Sequence, residues 1–130
     1  MKKTRIIDPL SREQYDQYTF PSGFTLVHYP KKGRFLKGAY LSVGYGSIHL
    51  EGEDAKGERF SFPEGTAHFL EHKLFENDEL HLIDKMSSLG ASVNAFTSHD
   101  VTCYYFTAPI NFMKSLKLLL DIPVYPAYTE

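Results

Sequence analysis

The chain has 130 residues, which is the usual length of one domain, so we expect a single folded unit. Hydrophobic residues make up 42% and charged residues 23%, a balance that favours a packed core and excludes an intrinsically disordered chain. The formal net charge of -2, without a long basic run, gives no electrostatic footprint for phosphate backbones, so we expect no nucleic-acid partner.

Cysteine usage and apolar runs indicate the cellular setting. Cys103 is the single cysteine, so no internal disulfide can form, and its aromatic neighbours favour burial as a small apolar residue. The N-terminal segment is basic but lacks the apolar run of a signal peptide, and no stretch approaches the length of a membrane span. These features predict a soluble, cytoplasmic setting with no membrane partner.

The first half of the chain predicts strands and loops. Residues 1–20 are polar with scattered tyrosines, which favours an arm or loop that ends at the turn 21–23. Residues 24–29 and 35–45 are rich in aromatic and β-branched residues, and we expect them to pair as a hairpin. Residues 47–64 are glycine-rich and charged, which predicts a surface loop.

The second half predicts helices and a second hairpin. Residues 67–75 and 79–88 are compatible with helices, and residues 92–98 and 101–108 with two paired strands. Residues 112–120 carry apolar side chains at spacings of three and four, which is typical of an amphipathic helix. We therefore predict an α+β fold, with one sheet built from hairpins and helices packed on one face of it.

The segment His68-Phe69-Leu70-Glu71-His72 lies in the first predicted helix. Residues three and four apart share a helix face, so His68, Glu71 and His72 should point the same way. Two imidazole nitrogens one turn apart can both bind a zinc ion at about 2.0–2.1 Å. Zinc lowers the pKa of a bound water to about 7, and a nearby carboxylate can take the proton as that water attacks a carbonyl. The pattern therefore predicts a zinc site with Glu71 as the general base.

Two other interpretations of this motif are possible. Chance alone gives the spacing in roughly 2% of random chains of this composition. A chance pattern on a solvated helix does not need the apolar residues found at positions 67, 69, 70, 74 and 75, which predict burial of the rest of the helix. A structural zinc site usually has four protein ligands, whereas this segment offers two histidines. These comparisons favour a catalytic zinc site.

Residues 65–75 contain a glycine, small residues, His-Phe-Leu-Glu-His and an apolar pair. This pattern resembles the site of the inverzincin metallopeptidases of the pitrilysin and insulinase type, which include the mitochondrial processing peptidases. The resemblance implies a zinc-dependent metalloendopeptidase with a pitrilysin-type fold. It assigns His68 and His72 to zinc and Glu71 to the general base.

The resemblance extends to Asn94-Ala95-Phe96-Thr97, since the family has an Asn-Ala-x-Thr strand some twenty residues after the motif. In the family this edge strand accepts the substrate peptide as an added strand. Asn94, Ala95, Phe96 and Thr97 are therefore expected to bind a peptide or a small unfolded protein. Without the upstream motif, Asn94 would be interpreted as a polar strand-edge residue that binds no ligand.

The family's third zinc ligand is a glutamate roughly seventy to eighty residues beyond the second histidine, and this sequence ends at Glu130 before that separation is reached. Glu76 continues the spacing of four from His72, but three such positions span about 12 Å of helix, too far for one ion. We therefore expect residues 1–130 to be the N-terminal part of a single peptidase domain that binds zinc weakly and is inactive alone.

The resemblance also implies partners. The remainder of its own domain and a second family domain would complete the chamber, and the isolated chain is expected to form a homodimer through uncovered apolar surface or sheet edge. The alternative function is a non-catalytic peptide-binding partner subunit of the same family. Such partners lack the motif, whereas His68, Glu71 and His72 are all present here.

Overall fold

The computed structural model describes residues 1–75, of which Phe75 by its backbone alone, and residues 82–123. The chain forms two compact units, Met1–Arg34 and Phe35–Glu130. Two units replace the single folded unit expected from the length. That both belong to one peptidase domain stays a prediction.

The first unit is a three-stranded antiparallel sheet. Its strands are β1 (Lys2–Ile7), β2 (Gln14–Thr19) and β3 (Thr25–His28), in the order β1-β2-β3. The prediction of an arm or loop over residues 1–20 is therefore wrong. Polar side chains are compatible with strands whose faces are mostly exposed, and that is the case for all of β1 except Ile6.

An ion cluster joins the first two strands. Asp16 of β2 is 6% exposed and accepts hydrogen bonds from Arg5 Nε at 2.8 Å and Arg5 Nη2 at 3.0 Å. Lys3 Nζ lies 3.0 Å from the same carboxylate. The hydrogen bonds from Arg5, followed by that from Lys3, hold the pKa of Asp16 well below its usual range.

The second unit is built on the sheet β4-β8-β7, formed by Lys37–Val43, Thr102–Ala108 and Ser92–Thr97. The β7–β8 hairpin is confirmed, and Ser98 N donates to Val101 O at 2.8 Å across its turn. The predicted hairpin of residues 24–29 with 35–45 is wrong. β3 pairs with β2, and β4 pairs with β8 along its whole length, so each strand finds its partner elsewhere.

The segment predicted as a surface loop contains a small hairpin. Its strands are β5 (Glu51–Glu53) and β6 (Arg59–Ser61), which pair antiparallel. A turn centred on Asp54 joins them, since Asp54 Oδ1 accepts hydrogen bonds from the backbone N–H groups of Lys56 and Glu58. Each strand has three residues, too few to show a strand pattern within a glycine-rich segment, so the hairpin was not predicted.

Three helices lie in the described residues: α1 (Thr66–Phe75), α2 (Leu82–Ser88) and α3 (Phe112–Asp121). These confirm the three predicted helices, although the start expected at residue 79 lies outside the described part of the chain. Gly65 precedes α1 with φ +85°, a left-handed conformation that glycine adopts without steric cost. No helix among the described residues is long and apolar enough to cross a membrane.

The core lies between the helices and one face of the β4-β8-β7 sheet. Tyr104, Phe106 and Ala108 alternate along β8, and all three are buried. The helical residues of the same cluster are Leu82, Met86, Leu119, Leu74, Phe112, Leu116 and Leu118. The α+β class and the helices on one face are therefore as predicted, while the strands are distributed among three sheets.

Candidate active site

Helix α1 presents two histidines together. His68 Nε2 and His72 Nε2 are 3.1 Å apart, and the rings meet edge to face with centroids 4.6 Å apart. Both residues are exposed. The spacing of four on a helix places the rings one turn apart on one face, so this convergence follows directly from the sequence.

The pair of histidines fits the donor set of a zinc ion. Two nitrogens at 2.0–2.1 Å from one tetrahedral ion lie about 3.3 Å apart, close to the observed separation. An imidazole pair at this distance can alternatively share one hydrogen bond between a protonated and an unprotonated nitrogen. Within residues 1–75 and 82–123, no group of three or more metal-binding side chains comes together. Glu76 lies outside the described residues, so the two histidines are the candidate ligands that the structure brings together.

Glu71 lies deeper than the histidines. Its side chain is 11% exposed, compared with 65% for His68. The Thr97 hydroxyl donates a hydrogen bond of 2.6 Å to Glu71 Oε2, and His68 Nδ1 lies 3.7 Å from the same oxygen. Oε1 accepts no hydrogen bond from any residue that the structure describes. The carboxylate therefore has one oxygen fixed by the protein and one available to a ligand.

The other side of α1 packs on the sheet. Ala67 is buried, and Leu70 and Leu74 are half-buried. Phe69 is 59% exposed, with Lys73 Nζ 5.8 Å from its ring centroid, so the expectation that Phe69 helps to bury the helix is wrong. Phe69 follows His68 directly, so it projects about 100° away around the helix, and the face packed on the sheet is narrower than the apolar pattern indicates.

Strand β7 carries the four predicted substrate-binding residues on alternate faces. Asn94 and Phe96 are exposed on the face away from the helices, and the Phe96 ring lies 6.3 Å from that of Tyr105. Ala95 packs against the core, and Thr97 reaches Glu71. The structure therefore brings Thr97 to the candidate base, while Asn94 and Phe96 lie on the opposite face.

β7 is an edge strand among the described residues, because β8 is its one neighbour. The bond from Ser98 N to Val101 O makes that pair a hydrogen-bonded one, and such pairs alternate along an antiparallel ladder. Ala95 and Tyr104 therefore form a non-hydrogen-bonded pair. The backbone N–H and C=O of Ala95 point away from β8, to the open edge of the sheet. Asn94 Oδ1 accepts the Ala95 N–H at 2.8 Å and covers that donor.

The hydrogen bond between Thr97 and Glu71 was not predicted from the sequence. The resemblance assigned Thr97 to peptide binding through its place in the Asn-Ala-x-Thr strand. A usable signal was present, since the period of two places Thr97 on the same face as Ala95, where apolar side chains meet the helices. A hydroxyl on that face needs a buried acceptor, and Glu71 provides it.

Comparison with known proteins identifies the family. Residues 41–127 match the family model described as Insulinase (Peptidase family M16). The uncharacterized zinc protease YmfH of Bacillus subtilis (strain 168) is 36% identical over an alignment 130 residues long, which covers 96% of this chain and 30% of that protein. The human mitochondrial-processing peptidase subunit beta is 40% identical over 62 residues, 45% of this chain and 12% of that protein.

Solved structures agree in fold. The chain superposes on an M16-like peptidase from Alicyclobacillus acidocaldarius with a TM-score of 0.83 at 28% identity, covering 97% of this chain and 29% of the other. Pitrilysin gives a TM-score of 0.70 at 20% identity over 96% of this chain and 14% of its own, which is a likeness of fold. The chain spans about 30% of the length of YmfH and of the Alicyclobacillus acidocaldarius peptidase. With the family model covering most of its length, the chain belongs to the insulinase family of peptidases, family M16.

Proposed function

We propose that this chain carries the metal-binding and proton-transfer part of a zinc-dependent metalloendopeptidase. The observation that carries the proposal is the convergence of His68 Nε2 and His72 Nε2 at 3.1 Å. Beside them lies the Glu71 carboxylate, one oxygen of which accepts a hydrogen bond from Thr97. His68 and His72 would hold the ion. When bound, zinc would polarise the peptide carbonyl and lower the pKa of a coordinated water.

Glu71 acts as the general base in this proposal. Its Oε2 is engaged by Thr97, so Oε1 is the atom that takes the proton from the attacking water. The same carboxyl group can then return the proton to the leaving amine. The low exposure of Glu71 supports this role, because few competing waters reach a carboxylate that the sheet and helix cover.

The substrate is a peptide or a small unfolded protein that pairs with β7. The main-chain groups of Ala95 point to the open edge, and a peptide carbonyl would replace Asn94 Oδ1 on the Ala95 N–H. Main-chain pairing recognises any extended peptide, so affinity comes from the backbone and preference from side-chain pockets. A segment whose main-chain groups are already paired within a helix or sheet cannot add to β7 in this way, which restricts the substrates to extended segments.

The complete enzyme needs parts that these residues do not provide. Two histidines leave coordination positions open, and catalytic zinc sites use three protein ligands. We place the third ligand, a glutamate on another helix, in the remainder of the peptidase domain, as the resemblance implies. A second family domain would close the chamber around the peptide. Residues 1–130 alone are proposed to bind zinc weakly and to be inactive.

The test is Glu71→Gln in the full-length protein. Removing the base while keeping both histidines should leave zinc content unchanged and lower peptide hydrolysis about 10²- to 10⁴-fold. His68→Ala or His72→Ala should lose both zinc and activity. Glu64→Gln is the matched control, because Glu64 is an exposed carboxylate just before α1, and this variant should behave as wild type.

The measurements are metal content by elemental analysis and initial rates on an internally quenched peptide. Near wild-type turnover in Glu71→Gln would remove Glu71 from the role of base. A full-length protein that binds peptide but shows no hydrolysis in any variant would instead support the non-catalytic peptide-binding partner.

A further inference from the structure

We propose that Thr97 is a positioning residue that orients the Glu71 carboxylate, and that its side chain is not a contact of the peptide. This inference rests on the proposed function, because it assigns a partner to the base of that reaction. It also changes the role that the resemblance gave to Thr97, which was substrate binding.

The hydrogen bond between the two residues is short and largely shielded. An ionised carboxylate is an acceptor only, so the Thr97 hydroxyl must donate, and the 2.6 Å distance is within the range of about 2.5–2.7 Å for charge-assisted O–H···O⁻ bonds. The Glu71 side chain is 11% exposed, so water competes weakly for the same oxygen. The carboxylate therefore has a preferred position set by the strand.

The stiffness of the two side chains explains which one directs the other. Glutamate has three side-chain torsions, and on a helix its carboxylate can sweep a wide arc. Threonine is β-branched and restricted at χ1, and Thr97 belongs to a strand that is paired with β8 along its length. The rigid hydroxyl therefore fixes the mobile carboxylate. With Oε2 held, Oε1 is the oxygen left to take the proton of the attacking water.

The main chain of Thr97 connects this bond to the peptide. Thr97 opposite Thr102 is a non-hydrogen-bonded pair, like Ala95 opposite Tyr104, so its backbone N–H and C=O also point to the open edge. Its side chain points to α1 instead. A peptide paired with β7 would thus hold the backbone from which the hydroxyl projects. One residue contacts the substrate through its main chain and the base through its side chain.

The experiment compares three variants of the zinc-loaded full-length protein in peptide hydrolysis. Thr97→Val removes the hydroxyl and keeps the shape and the strand propensity. Thr97→Ser restores the hydroxyl without the branched methyl. Thr102→Val is the matched control, because Thr102 is the cross-strand neighbour and its hydroxyl donates to Tyr45 O at 2.8 Å, away from the base.

Thr97→Val should lower kcat about 10- to 100-fold, the effect of losing one hydrogen bond to a charged group, and should change KM less than about threefold. Thr97→Ser should recover kcat to within about fivefold of wild type, and Thr102→Val should keep it. If the valine variant does not fold, Thr97→Ala gives the same comparison. Wild-type kcat in the variants without the hydroxyl, alongside an inactive Glu71→Gln, would overturn this inference and leave the proposed function standing.

A raised KM with unchanged kcat in Thr97→Val would also overturn the inference, since it would make Thr97 a peptide contact. Activity in Glu71→Gln would refute the proposed function itself. A readout independent of activity is the crystal structure of Thr97→Val with zinc bound. We expect the Glu71 carboxylate to leave its wild-type position or to occupy several rotamers, with both histidines unmoved, and an unchanged carboxylate would contradict the positioning role.

Discussion

Replacing Ala95 by proline should block the pairing of a peptide with β7 while leaving the β7–β8 ladder in place. Proline has no N–H, so it is tolerated in a strand only where that N–H does not serve the sheet. In the observed register, the Ala95 N–H points to the open edge and is covered by Asn94 Oδ1. The variant therefore removes a donor that the peptide needs and the sheet does not.

The size of the effect follows from one lost bond. A peptide carbonyl opposite the introduced proline loses its hydrogen bond and is left without a partner, which costs about 1–3 kcal/mol. We expect KM to rise about 10- to 100-fold. The ring also adds volume at a half-buried position, which costs the fold about 1–3 kcal/mol. The Ala95→Pro variant should therefore be folded but less stable.

Phe96→Pro is the control for this substitution. Phe96 opposite Cys103 is a hydrogen-bonded pair, so proline there removes a bond from the ladder itself. We expect Phe96→Pro to destabilise the sheet more than Ala95→Pro does, because proline in the middle of a sheet removes a ladder hydrogen bond. Thermal melts by circular dichroism measure stability, and hydrolysis of a quenched peptide by the full-length protein measures KM. Wild-type KM in Ala95→Pro, or equal destabilisation by both prolines, would refute the inferred register and edge.

Two further predictions concern stability. Phe106 is fully buried, and its ring lies 5.4 Å from that of Phe112. Phe106→Ala should therefore lower the free energy of unfolding, measured in urea, by about 3–5 kcal/mol. Phe35→Ala, at a 77% exposed position, should change it by no more than about 0.5 kcal/mol. Comparable losses in the two variants would contradict the assigned core. The depressed pKa of Asp16 contributes stability that is present above its unfolded pKa of about 3.9 and is lost as pH falls through the lower folded pKa. Hydrogen-exchange protection factors in β1 and β2, which correct for the slower intrinsic exchange in acid, should therefore fall below about pH 4, and Asp16→Asn should remove this acid dependence.

Local patterns predicted the elements that depend on neighbours in sequence. The helix α1 follows from a glycine, a threonine and a helix-compatible run, and the β7–β8 hairpin from two strand-forming runs separated by a short turn. The convergence of His68 and His72 is likewise a property of one helical turn. Each of these needs no information from distant parts of the chain.

Long-range pairing was not predictable from the same patterns. The strand Lys37–Val43 was expected to pair with its predecessor, but it pairs with β8, and the two are separated by β5, β6, α1, α2 and β7. A hairpin is favoured when two strand-forming runs are close in sequence, yet burial decides which partner a strand takes. β8 is the most buried strand of its sheet, and β4 covers one of its sides. The alternation of apolar residues and the distance between strands in the sequence do not show which partner a strand takes.

The geometry of the candidate site also depends partly on residues close together in sequence and partly on residues far apart. His68 and His72 are brought together by the helix alone, whereas the orientation of Glu71 depends on a hydroxyl from β7. The His-x-x-Glu-His motif therefore predicts that the two histidines converge, but it does not predict the hydrogen-bond partner of the Glu71 carboxylate. A protein that kept the motif and carried valine in place of Thr97 should still hold zinc through its histidines and yet hydrolyse peptides slowly, because its carboxylate would spend most of its time in other rotamers.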